Sequence, residues 1–167
     1  MNDLMTPADI VMRLVIATGA GVILGLNRDL HDKPAGVRTM GVISLAAAST
    51  VLCVLLADSG EGALSRVIQG LLTGIGFVGA GVILHTPGDR RVHGLTTAAS
   101  TWFAVACGIL SAVALWWVLL VAGLLCLAIL IFGHDFEVRV HRRFGRPAEG
   151  AGPAPEAPLR SAPDDTD

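Results

Sequence analysis

Charge is scarce in this chain. Asp, Glu, Lys and Arg make up 16% of its 167 residues, against a hydrophobic share of 53% and a mean hydropathy of +0.65. A soluble globular domain is excluded, because so little polar surface could not cover so apolar an interior. The formal net charge is −2, and no uniform basic face of the kind a nucleic-acid binder presents is found. Cysteine is sparse as well. Cys53, Cys107 and Cys126 lie inside apolar runs, with no CxxC pair and no His/Cys cluster at zinc spacing, and they read as buried, reduced thiols. Hydrolytic motifs are missing: there is no G-x-S-x-G, H-E-x-x-H, Walker A or pair of catalytic carboxylates. With no nucleophile beside a base, neither an enzyme nor a bound cofactor is expected. Residues 1–9 carry Asp3 and Asp9 but no Lys or Arg, so they lack the positive start of a cleaved signal peptide. The first apolar run is therefore expected to stay in the membrane.

Five apolar stretches are present: about Ile10 to Leu26, Met40 to Ala57, Val67 to Leu84, Leu95 to Leu110, and Ala112 to Phe132. A spanning helix needs ~20 mainly apolar residues, with a range of roughly 17–25. The first and fourth are short, and the fourth lengthens by admitting Thr96, Thr97, Ser100 and Thr101. The segments are apolar all round, unlike the one-sided stripe of a soluble bundle, and they show no strand-like alternation. Backbone groups in lipid must bond within their own segment, so the expected fold is all-α: a polytopic membrane protein of five transmembrane helices. The boundary between the fourth and fifth is the weakest, since Gly108 and Ser111 offer only a tight turn; one long kinked segment or a re-entrant one is the alternative. Residues 1–9 form an outer segment, 10–132 the membrane domain, and 133–167 a tail, basic from His134 to Arg146 and then rich in Pro, Ala and Gly, as disordered chain is.

Basic residues gather in alternate loops. Arg28, Lys33 and Arg38 fall in the first, Arg90 and Arg91 in the third, and Arg139, Arg142, Arg143 and Arg146 follow the fifth helix. The second loop holds only Arg66 beside Asp58 and Glu61, and the fourth holds none. The positive-inside rule then places the N-terminus outside and the C-terminus in the cytoplasm, which requires an odd number of crossings. Trp116 and Trp117 open the fifth helix, where interfacial aromatics belong. Arg13, one turn inside the first helix, is expected to snorkel to the headgroups.

Three motifs concentrate the remaining information. Gly25-Leu26-Asn27-Arg28-Asp29 leads to Lys33-Pro34-Ala35-Gly36-Val37-Arg38-Thr39, a loop crowded with both charges and turned by Pro34 and Gly36. Asp29 and Asp32 offer oxygens to a hard cation, but Arg28, Lys33 and Arg38 compete for them, so no metal site is assigned. The third segment holds Gly70, Gly74, Gly76, Gly79 and Gly81. Gly74 to Gly79 spells G-x-G-x-x-G, but no βαβ unit surrounds it and no acid follows about 20 residues on. The glycines read instead as close-packing positions, with Gly70/Gly74 and Gly21/Gly25 at small-xxx-small spacing. The third motif, Gly94-Leu95-Thr96-Thr97-Ala98-Ala99-Ser100-Thr101-Trp102, brings four hydroxyls to a helix start. They are suited to capping it, to bonding across to neighbours, or to a polar lining facing Arg38 or Asp29.

Taken together and in this order, the three motifs resemble the MgtC/SapB membrane domain over roughly Arg13 to Phe132: a GLxRx…KPAGxRT loop, a GIGFxGAGxIL helix and a GLTTAAxxW stretch. The resemblance implies a bacterial inner-membrane protein linked to growth under magnesium limitation. In intracellular pathogens it further implies survival within macrophages, and for some members restraint of the F-type ATP synthase. It marks Asn27, Arg28, Asp29, Lys33, Pro34, Gly36, Arg38, Thr39, Gly74, Gly76, Gly79, Gly81, Gly94, Thr96 and Thr97 as candidate functional positions. Two features depart from the pattern. Asn27 stands where an acid is usual before the loop arginine, leaving Arg28 to bond Asp29 or Asp32. Many members also carry a soluble C-terminal domain, where this chain has a short tail, so a short form is expected.

The expected function is that of a non-enzymatic membrane modulator, working through membrane lipid, a partner such as the ATP synthase, or a second copy of itself. Its contact surface would be the Gly-rich third helix, with Gly74→Leu or Gly79→Leu abolishing association. The alternative is a magnesium or other cation transporter or channel lined by Asp29, Arg38, Thr73, Thr97 and Ser100; the lack of an acid deep in a membrane segment weighs against it.

Overall fold

A computed structural model describes residues 5–57, 60, 62–85 and 92–144. Five helices account for most of them: α1 (Pro7–Asp29), α2 (Val37–Leu56), α3 (Ala63–Val82), α4 (Leu95–Ala112) and α5 (Trp116–Phe144). Each contains a stretch long and apolar enough to cross a membrane, that of α5 being Trp116–Gly133. One compact unit ends at Gly133, and the helix of α5 runs on to Phe144 rather than stopping at Phe132. The Pro- and Ala-rich tail, Arg90, Arg91, Asp58 and Glu61 lie outside the described residues. Between α3 and α4, Leu84–His85 (β1) and Val92–His93 (β2) form a two-residue antiparallel ladder, Leu84 opposite His93 and His85 opposite Val92.

The start of α1 shows why Asp9 is where it is. Thr6 is the N-cap; its hydroxyl oxygen accepts from the Asp9 amide at 3.2 Å, while the Asp9 carboxylate accepts from the Thr6 amide at 3.0 Å and the Thr6 hydroxyl at 2.7 Å. This reciprocal capping box satisfies donors that a helix end leaves open, and Pro7 adds the preset φ of a first helical residue. The acid is an end signal, not an isolated charge.

α4 and α5 are two helices. The Ala114 amide donates to Ser111 O at 3.2 Å and the Leu115 amide to Leu110 O at 3.0 Å, with Ala114 left-handed at φ 59. That is a Schellman stop built on alanine. Gly108, expected to help the turn, lies instead inside α4 against α2.

Arg13 turns inward. Its Nη1 donates to the carbonyl of Ala112, a fully buried residue in the last turn of α4. The carbonyls of a final turn lack partners along their own helix and carry the negative end of its dipole, so a cation caps them well. The expected snorkelling to the headgroups is replaced by this bond.

The centre of the bundle is α2, held between α1 and α4. A Cβ on Gly21 would come within 2.5 Å of Met40 O, and one on Gly25 within 2.5 Å of Val37 Cα, so the α1 and α2 backbones meet directly. On the other side a Cβ on Gly108 would strike Ser44 O. The hydroxyl of Ser44 donates to Ala17 O at 2.7 Å, bonding α2 to α1 where both are fully buried. Apolar side chains add no hydrophobic drive in lipid, so association rests on close backbone approach and on such hydrogen bonds. The core around this seam is built from Ala17, Ala47, Ala48, Val51, Leu52, Val105 and Ala112.

α3 and α5 are the outer helices. In α3 the buried residues are Ile75 and Gly79. Along α5, Trp117, Leu124, Ile129 and Phe132 are each more than 60% exposed, as lipid-facing side chains should be. The cysteines are unpaired: Cys107 is buried, Cys126 half-buried and Cys53 exposed on α2, the last contrary to the uniform burial expected.

Candidate functional site

The first and third motifs meet at one end of the bundle. Arg28 ends the buried stripe of α1, four residues apart from Leu24 and three from Gly25, and is only 4% exposed. Its Nη2 donates to Thr97 Oγ1, in the first turn of α4 and 69 residues away in sequence. Its Nε is buried with no partner. The expected partners Asp29 and Asp32 are not used, because α1 points Arg28 into the bundle and the next residue out of it.

Asp29 works on α2 instead. Its carboxylate accepts from the Val37 amide at 3.0 Å and rests against Gly36, where any Cβ would collide with it. Gly36, the N-cap of α2, has no side chain with which to cap, and Asp29 supplies the missing acceptor from eight residues back, next to the positive end of the helix dipole. The connection tightens through the Lys33 amide on Arg28 O at 3.0 Å and the His31 ring nitrogen on Asn27 O at 2.7 Å. Asp32 and Ala35 are left-handed, at φ 50 and φ 62. Asn27 is half-buried, while Lys33, Pro34, Arg38 and Thr39 are exposed. The loop thus divides into an inner pair that fixes geometry and an outer cationic rim.

α4 begins at Gly94, left-handed at φ 90, with its Cβ position occupied by the carbonyl of Val82. Only glycine satisfies both conditions. None of the four hydroxyls caps the helix from that position. Ser100 donates to Thr96 O at 2.8 Å and Thr101 to Ala98 O at 2.7 Å, back into their own helix, so among the described residues Thr97 alone bonds across. Thr96 is exposed, and neither Arg38 nor Asp29 reaches the row of hydroxyls.

The glycines of α3 stand apart from this site. A Cβ on Gly70, Gly74, Gly76 or Gly81 would meet nothing within 4 Å; on Gly79 it would touch Ala98 Cβ at 3.6 Å. Close backbone packing is thus found at Gly21, Gly25 and Gly108, while Gly79 of α3 makes ordinary van der Waals contact with α4. Gly79→Leu would press on α4 rather than report association. Sequence reading missed Gly108 and Ser44 as seam residues; the signal was their place on the small-residue faces of α4 and α2. Among the described residues no group of three or more His, Cys, Asp or Glu is placed to hold a metal ion.

Five apolar helices, backbones in contact at glycine, and a buried arginine bonded across two helix ends define a multi-pass membrane protein with a packed interior. The chain belongs to the MgtC family, whose model matches residues 14–139. It is 38% identical over 115 residues to protein SrpB of Synechococcus elongatus, covering 62% of this chain and 63% of that one. It is 34% identical over 108 residues to SapB of Bacillus subtilis (60% and 46%), and 37% over 90 residues to MgtC of Brucella abortus (54% and 37%). The match therefore spans less than two thirds of each of these relatives. No solved structure matches the chain.

Proposed function

We propose that this protein is a non-enzymatic modulator in the bacterial inner membrane, serving growth under magnesium limitation by contact with another membrane complex or with copies of itself. The carrying observation is electrostatic. The one charged side chain buried among the described residues is a cation, Arg28, and its partner is a neutral hydroxyl. A divalent cation passing that point would meet an unneutralised positive charge in a medium that screens it poorly. The other buried polar side chains, Ser44, Thr97, Ser100, Thr101 and Ser111, are all hydroxyls. This argues against the alternative of a magnesium or other cation carrier.

The outward side of α3 offers the contact surface, with Thr73 and Gly76 exposed and Phe77 86% exposed. Its partner in this reading is a complex of membrane energetics such as the F-type ATP synthase, and in a pathogen the same restraint would serve survival in macrophages. In this reading that end, with the exposed Lys33 and Arg38, lies in the cytoplasm and the N-terminus outside, as the positive-inside rule supports.

Magnesium and proton flux through the purified protein in sealed liposomes tests the reading, with Arg38→Ala as control. Inserted protein is expected to pass neither ion above empty vesicles. Flux that disappears in Arg38→Ala would make the protein a transporter and overturn the proposal. The contact surface has its own test: Gly76→Leu should lose crosslinked association while inserting normally.

A further inference from the structure

The bundle opens sideways between α2 and α3, where an apolar groove of about 550 Å³ faces outward. Ile43 and Ala47 of α2 form one wall, and Gly70 and Gly74 of α3 leave the other hollow. The Thr50 hydroxyl in the wall donates to its own helix at Ala46 O, 2.8 Å away, so it asks nothing of an occupant. Arg66, in the first turn of α3, is the single charged residue of the lining. It is exposed.

Two features select the occupant. The first is length. From Arg66 to Val78 the groove follows twelve residue steps of α3, ~18 Å at the helical rise. The hydrocarbon core is ~30 Å thick, so the groove covers little more than one leaflet. A transmembrane helix from another protein would need the full thickness, whereas an acyl chain occupies a single leaflet. The second is charge. Arg66 stands near the end of a spanning helix, where a long cationic side chain reaches the headgroup level, and the N-terminal dipole of α3 adds to its field. An anionic group fits there and a zwitterionic one fits less well.

We infer that this groove holds one acyl chain of an anionic phospholipid whose phosphate pairs with Arg66. The site does not rest on the modulator reading, and it borders the stripe of α3 that carries Thr73 and Phe77. The glycines keep the groove empty for the chain, and Arg66 selects the headgroup.

Native mass spectrometry of the full chain, released from micelles doped with phosphatidylglycerol or phosphatidylcholine, tests this. Wild type is expected to retain one phosphatidylglycerol per protomer about fivefold more tightly than phosphatidylcholine, the effect of one basic residue at a membrane surface. Arg66→Ala should abolish the preference and Arg66→Lys should keep it. Gly70→Leu with Gly74→Leu should remove retention of both lipids, and Ala46→Phe, on the opposite wall, should do the same should the glycine pair fail to fold. No preference in wild type, an unchanged preference in Arg66→Ala, or full retention with the groove filled would each overturn the site. So would a disulfide between two copies carrying Thr50→Cys together with Cys53→Ser, because a second chain would then occupy the groove.

Discussion

The bond between Arg28 and Thr97 joins the end of α1 to the start of α4, and its strength can be isolated. Thr97→Val keeps the shape and removes the acceptor. A hydrogen bond to a charged group contributes ~1.5–3 kcal/mol in soluble proteins, and polar pairs between membrane helices average ~0.6 with a maximum near 1.7 kcal/mol. Arg28 is 4% exposed and already leaves Nε unmet, so Thr97→Val strands a second donor of the same cation. The cost belongs at the upper end of the membrane range, about 1.5 kcal/mol. Arg28→Met keeps the apolar stem and removes the charge, and it should cost less, because replacing a buried ion by an apolar group is often neutral or stabilising. In the Arg28→Met background Thr97→Val should then be nearly silent, giving a coupling of about 1–1.5 kcal/mol in the cycle. Unfolding by dodecyl sulfate titrated into mild micelles, followed by helical circular dichroism, gives the four stabilities. Equal costs for Thr97→Val in both backgrounds would refute the reasoning, since the hydroxyl would then not serve Arg28.

Three further outcomes follow from the geometry. Gly21→Ala and Gly108→Ala should each destabilise by ~1–3 kcal/mol in the same titration by overpacking a backbone contact, whereas Gly70→Ala and Gly76→Ala, which meet nothing, should be neutral or stabilising by up to ~1 kcal/mol. Asp29→Ala should lower stability by ~0.5–2 kcal/mol through the lost cap of α2, and hydrogen exchange should quicken at Val37 with that at Ala63 unchanged. A cytoplasmic reporter fused within 30–36 should be active and one within 113–115 inactive; the reverse pattern would invert the orientation.

The five helices were legible because lipid demands long apolar segments, and length and hydropathy are written locally. The motif order also carried the family. Less legible was what each polar residue does, because that depends on which way a helix faces. Arg28 and Asp29, read from sequence as loop residues, are neighbours in the last turn of α1, yet the first is buried against Thr97 and the second caps the following helix. Arg13 read as a headgroup anchor, and only the placement of α4 reveals Ala112 O as its acceptor. The stop between α4 and α5 was obscured because alanine, not glycine, takes the left-handed position. Glycine spacing was an ambiguous signal: the same pattern closes the α1–α2 seam at Gly21 and Gly25 and leaves Gly70 and Gly74 open.

The central place of α2 has a consequence for biosynthesis. α1 and α2 leave the ribosome in succession and can zip at Gly21 and Gly25 as a hairpin before anything else is made. The other flank of α2 closes on Gly108, which is translated only after α3 has been released into the bilayer. The third helix must therefore wait without its principal neighbour, for its buried Gly79 meets Ala98 of α4. A chain arrested between α3 and α4 would hold a finished hairpin with α3 resting on α2 through Ile75, its seat on α4 not yet made.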